Sequence, residues 1–173
     1  MTRLEGYAAL FEPAEATIAG LFRERIARGA FADTLARGDD IRSLYNHDIG
    51  AVLGRVRAKT LALREDARGL FFTVSLNEAD PAAAAVAARV QRRDVTGSSF
   101  WFAVDRPDDE EWTPGRAGQL PLRRLLKLRL VDVGPVSFPA YEDTTVAVRT
   151  GHPLDVVRRM RARIAIAQAR AER

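Results

Sequence analysis

Three short segments of this sequence hold side chains able to do acid–base or nucleophilic chemistry. The first is Tyr45-Asn46-His47-Asp48. An imidazole titrates near neutrality, so it can take and return a proton at working pH. His47 follows an apolar run, a rigid place from which to present a base. Read alone, it is also an ordinary loop histidine between polar neighbours. The second segment is Thr96-Gly97-Ser98-Ser99-Phe100-Trp101-Phe102. A serine at the start of an apolar strand is held firmly, yet its hydroxyl is a weak nucleophile until a base takes the proton. Read alone, Ser98 and Ser99 form a turn after Gly97. The third segment runs from Leu130 to Tyr141 and contains Asp132 within an apolar strand. A buried acid costs free energy unless paired. Asp132 therefore needs a donor, either an imidazole N–H or an arginine such as Arg123 or Arg124, unless it faces solvent. The other histidine, His152, sits in a Gly-His-Pro turn with no partner nearby.

The elements that must position these residues are mostly strands. Strands are expected in GYAALF, LFRERI, the run from Ile41 to Tyr45, and three segments between Ala51 and Leu76. A short helix over residues 30–36 ends at Gly38, a C-cap residue. Asp80 and Pro81 open the main helix, an alanine-rich stretch that ends near Asp94. SSFWFAV reads as a buried strand, and residues 105–121 as an exposed acidic loop or hairpin rich in Gly and Pro. RRLLKLRLVDV reads as one strand with Leu126, Leu128 and Leu130 on one face, and TTVAVR as a last short strand. The expected fold class is α+β, a mainly antiparallel, barrel-like β core with a few surrounding helices. Two units are expected: a domain over residues 1–150, and a basic amphipathic helix over 151–173 with Leu154, Val157, Met160 and Ile164 at helical spacing.

Bulk properties narrow the function classes. With 173 residues, 47% hydrophobic and 29% charged, the chain can bury a real core. It has no cysteine, which excludes disulfides, Cys-based zinc sites and a thiol nucleophile. The opening MTRLEGYAALF lacks the apolar stretch of a signal peptide, and no run is long enough to cross a bilayer, so a soluble intracellular protein is expected. Residues 149–173 carry seven Arg against two acids, whereas residues 1–148 carry 20 Lys plus Arg against 21 acids. The basic character is confined to the tail, which speaks against a nucleic-acid-binding body.

The joint pattern says more than any segment. GYAALF, the segment from Phe22 to Phe31, LYNHD, VLGR, the turn from Asp66 to Leu70, DVTGSSFWF and VDVGPVSFPAYEDTTVAVR occur in that order. Together they resemble the prohead proteases of tailed bacteriophages, prophages and gene-transfer particles, over roughly residues 6–149. That family is distantly similar to the herpesvirus assembly proteases, which implies an assemblin-like fold. The resemblance implies a serine endopeptidase with Ser99 as nucleophile and His47 as base. Asp132 stands where the family usually carries a glutamate, and by analogy with the third member of the herpesvirus triad it orients His47. Asp48, Glu142 and Asp143 are its rivals for that role. Ala140 is the candidate oxyanion-hole donor, since its neighbour Pro139 has no N–H. Trp101 departs from the small residue common in the family, and either narrows the site or fills core. No metal or organic cofactor is implied. The implied partners are the major capsid protein and its scaffold segment, with the enzyme itself and a homodimer partner as further candidates. No membrane or nucleic-acid partner is expected, and the implied location is the assembling prohead in the bacterial host cytoplasm. The competing reading is a catalytically silent capsid-assembly factor of the same fold, against which the retained His47 and Ser99 argue.

Overall fold

A computed structural model describes residues 2–116 and 118–150. The expected C-terminal helix over 151–173 and His152 lie outside the described residues. In chain order the elements are β1 (Thr2–Leu10), β2 (Ala16–Ile18), β3 (Phe22–Ile26), α1 (Ala32–Arg37), β4 (Arg42–Leu44), β5 (Val52–Arg55), β6 (Leu61–Glu65) and β7 (Gly69–Ser75). They continue with α2 (Pro81–Arg92), β8 (Gly97–Ala103), β9 (Glu110–Thr113), β10 (Leu122–Leu125), β11 (Arg129–Val136) and β12 (Ala147–Thr150). The class is α+β, mostly strand.

Local sequence explains the helices. Gly38 caps α1 in the left-handed conformation, and its N–H donates to the Leu35 carbonyl. The Asp80 side chain accepts from the Ala82 N–H, with Pro81 at the first helical position. Ala83, Val86 and Val90 then fall on one buried stripe of α2. In β7, Leu70, Phe72 and Val74 alternate inward, the period-2 signature of a half-buried strand. These residues join Leu4, Ile26, Phe31, Ile41, Leu125 and Val133 in one core.

The strands form three four-stranded sheets, ordered β12-β1-β7-β6, β2-β3-β10-β9 and β5-β4-β11-β8. The expected barrel-like closure is not found: among the described residues each sheet ends in two edge strands. The pairing is mainly antiparallel, as expected, but β3 with β10 and β4 with β11 run parallel. The cause lies in the segment expected as one strand. The N–H groups of Leu126 and Lys127 both donate to the Asp109 carbonyl, and that of Leu128 donates to the Ala30 carbonyl. These bonds turn the chain out of one sheet and into the next, so β10 and β11 belong to different sheets. The acidic stretch expected as an exposed loop or hairpin supplies β9, which pairs antiparallel with β10 as one arm of a hairpin.

Candidate active site

The site is built on the β8–β11 pair. Asp132 lies opposite Trp101, and Gly134 opposite Ser99. Because side chains alternate across a sheet, Ser99, Trp101, Asp132 and Gly134 share one face. Ser98, Phe100, Val133 and Pro135 share the other, where Phe100 and Val133 enter the core. Ser99 and Asp132 are thus diagonal cross-strand neighbours, a relation that spans roughly 7–8 Å. The two adjacent serines have opposite environments. Ser98 is fully buried, and its hydroxyl donates to the carbonyls of Thr145 at 2.6 Å and Tyr7 at 3.1 Å. Ser99 is partly exposed, and among the described residues its hydroxyl makes no hydrogen bond.

His47 reaches this face by a close crossing. β4 runs beside β11 and ends at Leu44, and a Cβ on Gly134 would lie 1.9 Å from the Leu44 carbonyl oxygen. Only glycine permits this approach. The chain then turns: the Asn46 N–H donates to the Pro135 carbonyl, and Asn46 and His47 adopt left-handed φ values of 54° and 57°. Two successive non-glycine residues in this region store backbone strain, of order 1–3 kcal/mol each. Asn and His tolerate it better than most residues. The turn brings His47 Nδ1 to 2.8 Å from Asp132 Oδ1. The imidazole is one-third exposed, whereas the carboxylate is fully buried. Asp132 Oδ2 has no partner among the described residues, so the acid depends on the histidine for its hydrogen bonding. A carboxylate at Nδ1 keeps the proton on that nitrogen and leaves Nε2 as the acceptor.

The rival acids are placed elsewhere. Asp48 Oδ1 accepts from the Gly50 N–H, while Glu142 and Asp143 are exposed, and none of the three bonds to His47. Arg124 pairs with Glu12 and Glu111, and Arg123 with Glu24 and Glu110, so neither serves Asp132.

Ala140 lies on the exposed loop after β11, and among the described residues its N–H donates no hydrogen bond. The loop is anchored on both sides of it. The Ser137 N–H donates to Asn46 Oδ1 at 2.8 Å, tying the loop to the histidine turn. Pro139 fills the space beside Gly97, where a Cβ would meet its ring at 2.5 Å. Beyond Ala140, Tyr141 is buried and its hydroxyl donates to Glu24 Oε1 at 3.2 Å. Burial pushes the Tyr141 phenol up, and pushes the Glu24 carboxyl up despite the Arg123 guanidinium at 3.2 Å. Local sequence assigns no role to Asn46, Gly134, Ser137 or Glu24. Asn46 carried the one usable signal, since an Asn-His pair after an apolar run suits a left-handed turn.

A cleft of about 730 Å³ lies elsewhere, between β5 and the end of β7, lined by Val52, Gly54, Ser75 and Asn77; none of the four candidate residues lines it. Among the described residues no three His, Asp or Glu side chains group as metal ligands, and no helix is long and apolar enough to cross a membrane.

Comparison with known proteins adds the chemistry. No curated protein matches the chain. The model of one family, described as caudovirus prohead serine protease, matches residues 1–155, a span that contains Ser99, His47, Asp132 and Ala140. With nearly the whole chain covered, the protein belongs to the caudovirus prohead serine protease family, a family of hydrolases of phage capsid maturation.

Proposed function

We propose that this protein is a serine endopeptidase in which Ser99, His47 and Asp132 act as a triad and Ala140 supplies an oxyanion-hole donor. The observation that carries the reading is the 2.8 Å pairing of His47 with the buried Asp132, on the sheet face that also bears a free Ser99 hydroxyl. Ser99 Oγ attacks the peptide carbonyl carbon while His47 Nε2 takes the hydroxyl proton. The Ala140 N–H faces the negative oxygen of the tetrahedral intermediate. On collapse the C–N bond breaks and His47 returns the proton to the leaving amine. Water then hydrolyses the acyl-enzyme by the same transfers in reverse. Asp132 takes no proton and holds the imidazole in the productive tautomer.

The substrate under this reading is the scaffold segment of the major capsid protein, cut inside the assembling prohead in the host cytoplasm. A segment that leaves its own fold can enter the site extended, so a compact mature shell should resist cleavage. The test is mass spectrometry of the major capsid protein co-expressed with wild-type enzyme and with Ser99→Ala. Cleavage by the wild type alone is expected. Equal processing with both would show that the chain assists assembly without cutting.

A further inference from the structure

Trp101 is exposed on the face of β8 that carries Ser99, directly opposite Asp132. Half of its surface is open, at 50%. Its neighbours in sequence turn the other way. Phe100 is buried, lies edge-on to Phe31 at 5.4 Å and stacks on Phe102 at 5.2 Å. Trp101 takes no part in that aromatic cluster, so it does not fill core. Among the described residues no ring or cation packs on its indole, and the indole N–H donates no hydrogen bond. Two further apolar side chains stand open close in sequence to the proposed site residues. Ile49, 80% exposed, lies two residues after His47, and Phe138, 94% exposed, lies two residues before Ala140. Three of the six large hydrophobic side chains most exposed in the described residues are therefore within two positions of Ser99, His47 or Ala140.

An extended peptide advances about 3.3 Å per residue and turns every second side chain to the same face. Ser99 and Trp101 are spaced by that same two-residue step on one strand. A substrate that runs alongside β8 with its carbonyl at Ser99 Oγ lays a nearby side chain against the indole. Resting on the serine-protease reading above, we infer that Trp101 is a specificity-determining residue. It walls a subsite for a large apolar side chain, such as Leu, Ile, Met or Phe, within two residues of the scissile bond. Phe138 and Ile49 form the rest of an apolar rim over which the extended segment lies. Aromatic anchors of this kind discriminate by how much apolar surface the ligand brings to them.

The experiment profiles the cleavage of a complex peptide mixture by the full chain, as wild type, Trp101→Ala and Ser99→Ala. A small fluorophosphonate probe reports reactivity of the serine independently of peptide binding. Wild-type cleavage sites should show at least tenfold enrichment of large apolar residues at one position within two residues of the cut bond. Trp101→Ala should reduce that enrichment below threefold and lower kcat/KM for the preferred peptide at least tenfold, with probe labelling within threefold of wild type. Replacing the preferred residue by Ala in the peptide should cost the wild type tenfold but Trp101→Ala less than threefold, the mark of a direct contact. Unchanged enrichment in Trp101→Ala overturns the inference. So does loss of probe labelling, which would make Trp101 a support of the active site, and so does a change of oligomeric state, which would make the rim a contact between copies. Labelling of the wild type with no peptide cut would show that an extended segment is not enough, and also overturns it. If Ser99→Ala cuts as the wild type does, it is the serine-protease reading that fails.

Discussion

Replacing Asp132 by Asn keeps the shape of the side chain and removes its charge, and the structure shows what that change must cost. One carboxylate oxygen faces His47 Nδ1 at 2.8 Å, and the other is buried without a partner. Asn can answer in two ways. With its carbonyl oxygen toward the Nδ1 proton the productive tautomer survives, but the amide NH₂ then takes the place of Oδ2 and is buried with no acceptor. That costs about 1–3 kcal/mol. With its NH₂ toward His47, Nδ1 becomes the acceptor and the proton moves to Nε2, which can no longer take a proton from Ser99. In either arrangement the imidazolium formed in the transition state loses its counter-charge. The difference between a charge-assisted and a neutral hydrogen bond adds about 1–2 kcal/mol. The total, about 2–5 kcal/mol, corresponds to a fall in kcat/KM of roughly 30- to 5,000-fold. His47→Ala should lose more, because the base itself is gone. Stability should change little. The acid is fully buried with one oxygen unsatisfied, and the amide puts an equally unpaired group in the same place, so Asp132→Asn should melt close to the wild-type temperature. Asp132→Glu keeps the charge but adds a methylene in a fully buried site, at about 1–3 kcal/mol, and should fall between wild type and Asn in rate. The assay is kcat/KM on a capsid-derived substrate, paired with thermal unfolding of each variant. A rate for Asp132→Asn within threefold of wild type would refute the reasoning. A rate loss matched by an equal loss of stability would do so too, since the acid would then be a support of the fold alone.

Ser98→Ala should lose about 1–3 kcal/mol of stability, because the buried hydroxyl's bonding to the Thr145 and Tyr7 carbonyls is lost, yet retain activity per folded molecule; urea unfolding and active-site labelling separate it from Ser99→Ala. Gly134→Ala forces a Cβ onto the Leu44 carbonyl; at about 1–3 kcal/mol of strain, the melting temperature should drop by roughly 2–12 °C and activity should fall with it. The Arg55 guanidinium beside Asp40 holds that carboxyl at about 2, below its ordinary 3.8. A depressed folded-state value favours the folded state above pH 3.8 and loses that contribution as pH falls toward 2. The stability difference between wild type and Asp40→Asn, measured by urea unfolding, should therefore be fully present at pH 6 and be mostly lost by pH 2.

Much of the local structure is legible from local chemistry. The Asp80-Pro81 start of α2 and the Gly38 end of α1 follow from caps that act within one turn of helix. The separation of Ser98 from Ser99 follows from alternation, once Phe100 is taken as core. The partition of the sheets is not legible in this way. Nothing between Leu122 and Val136 marks a break, because the bonds that turn the chain come from the carbonyls of Ala30 and Asp109, the first almost a hundred residues away. The barrel-like expectation failed for that reason. The motif segments bring His47, Ser99 and Asp132 to notice, but no local signal says that Gly134 must be bare so that β4 can cross it, or that Asn46 must clamp Ser137.

That crossing also bears on how an acid as short as aspartate reaches the imidazole. A shorter acid reaches the imidazole only if the ring comes closer to the sheet. Here the Leu44 carbonyl oxygen occupies the space a Gly134 side chain would need, and the left-handed Asn46-His47 pair folds the turn straight back over β11. The Asn46 N–H bond to Pro135 and the Asn46 Oδ1 bond from Ser137 fasten the turn at that height. The pairing at 2.8 Å thus depends on backbone held low as much as on the acid itself. The same fastening draws the loop that carries Ala140 toward the histidine turn. The proposed base, its acid partner and the candidate oxyanion donor therefore share one set of anchors, and loosening Asn46 should disturb all three before it disturbs the core.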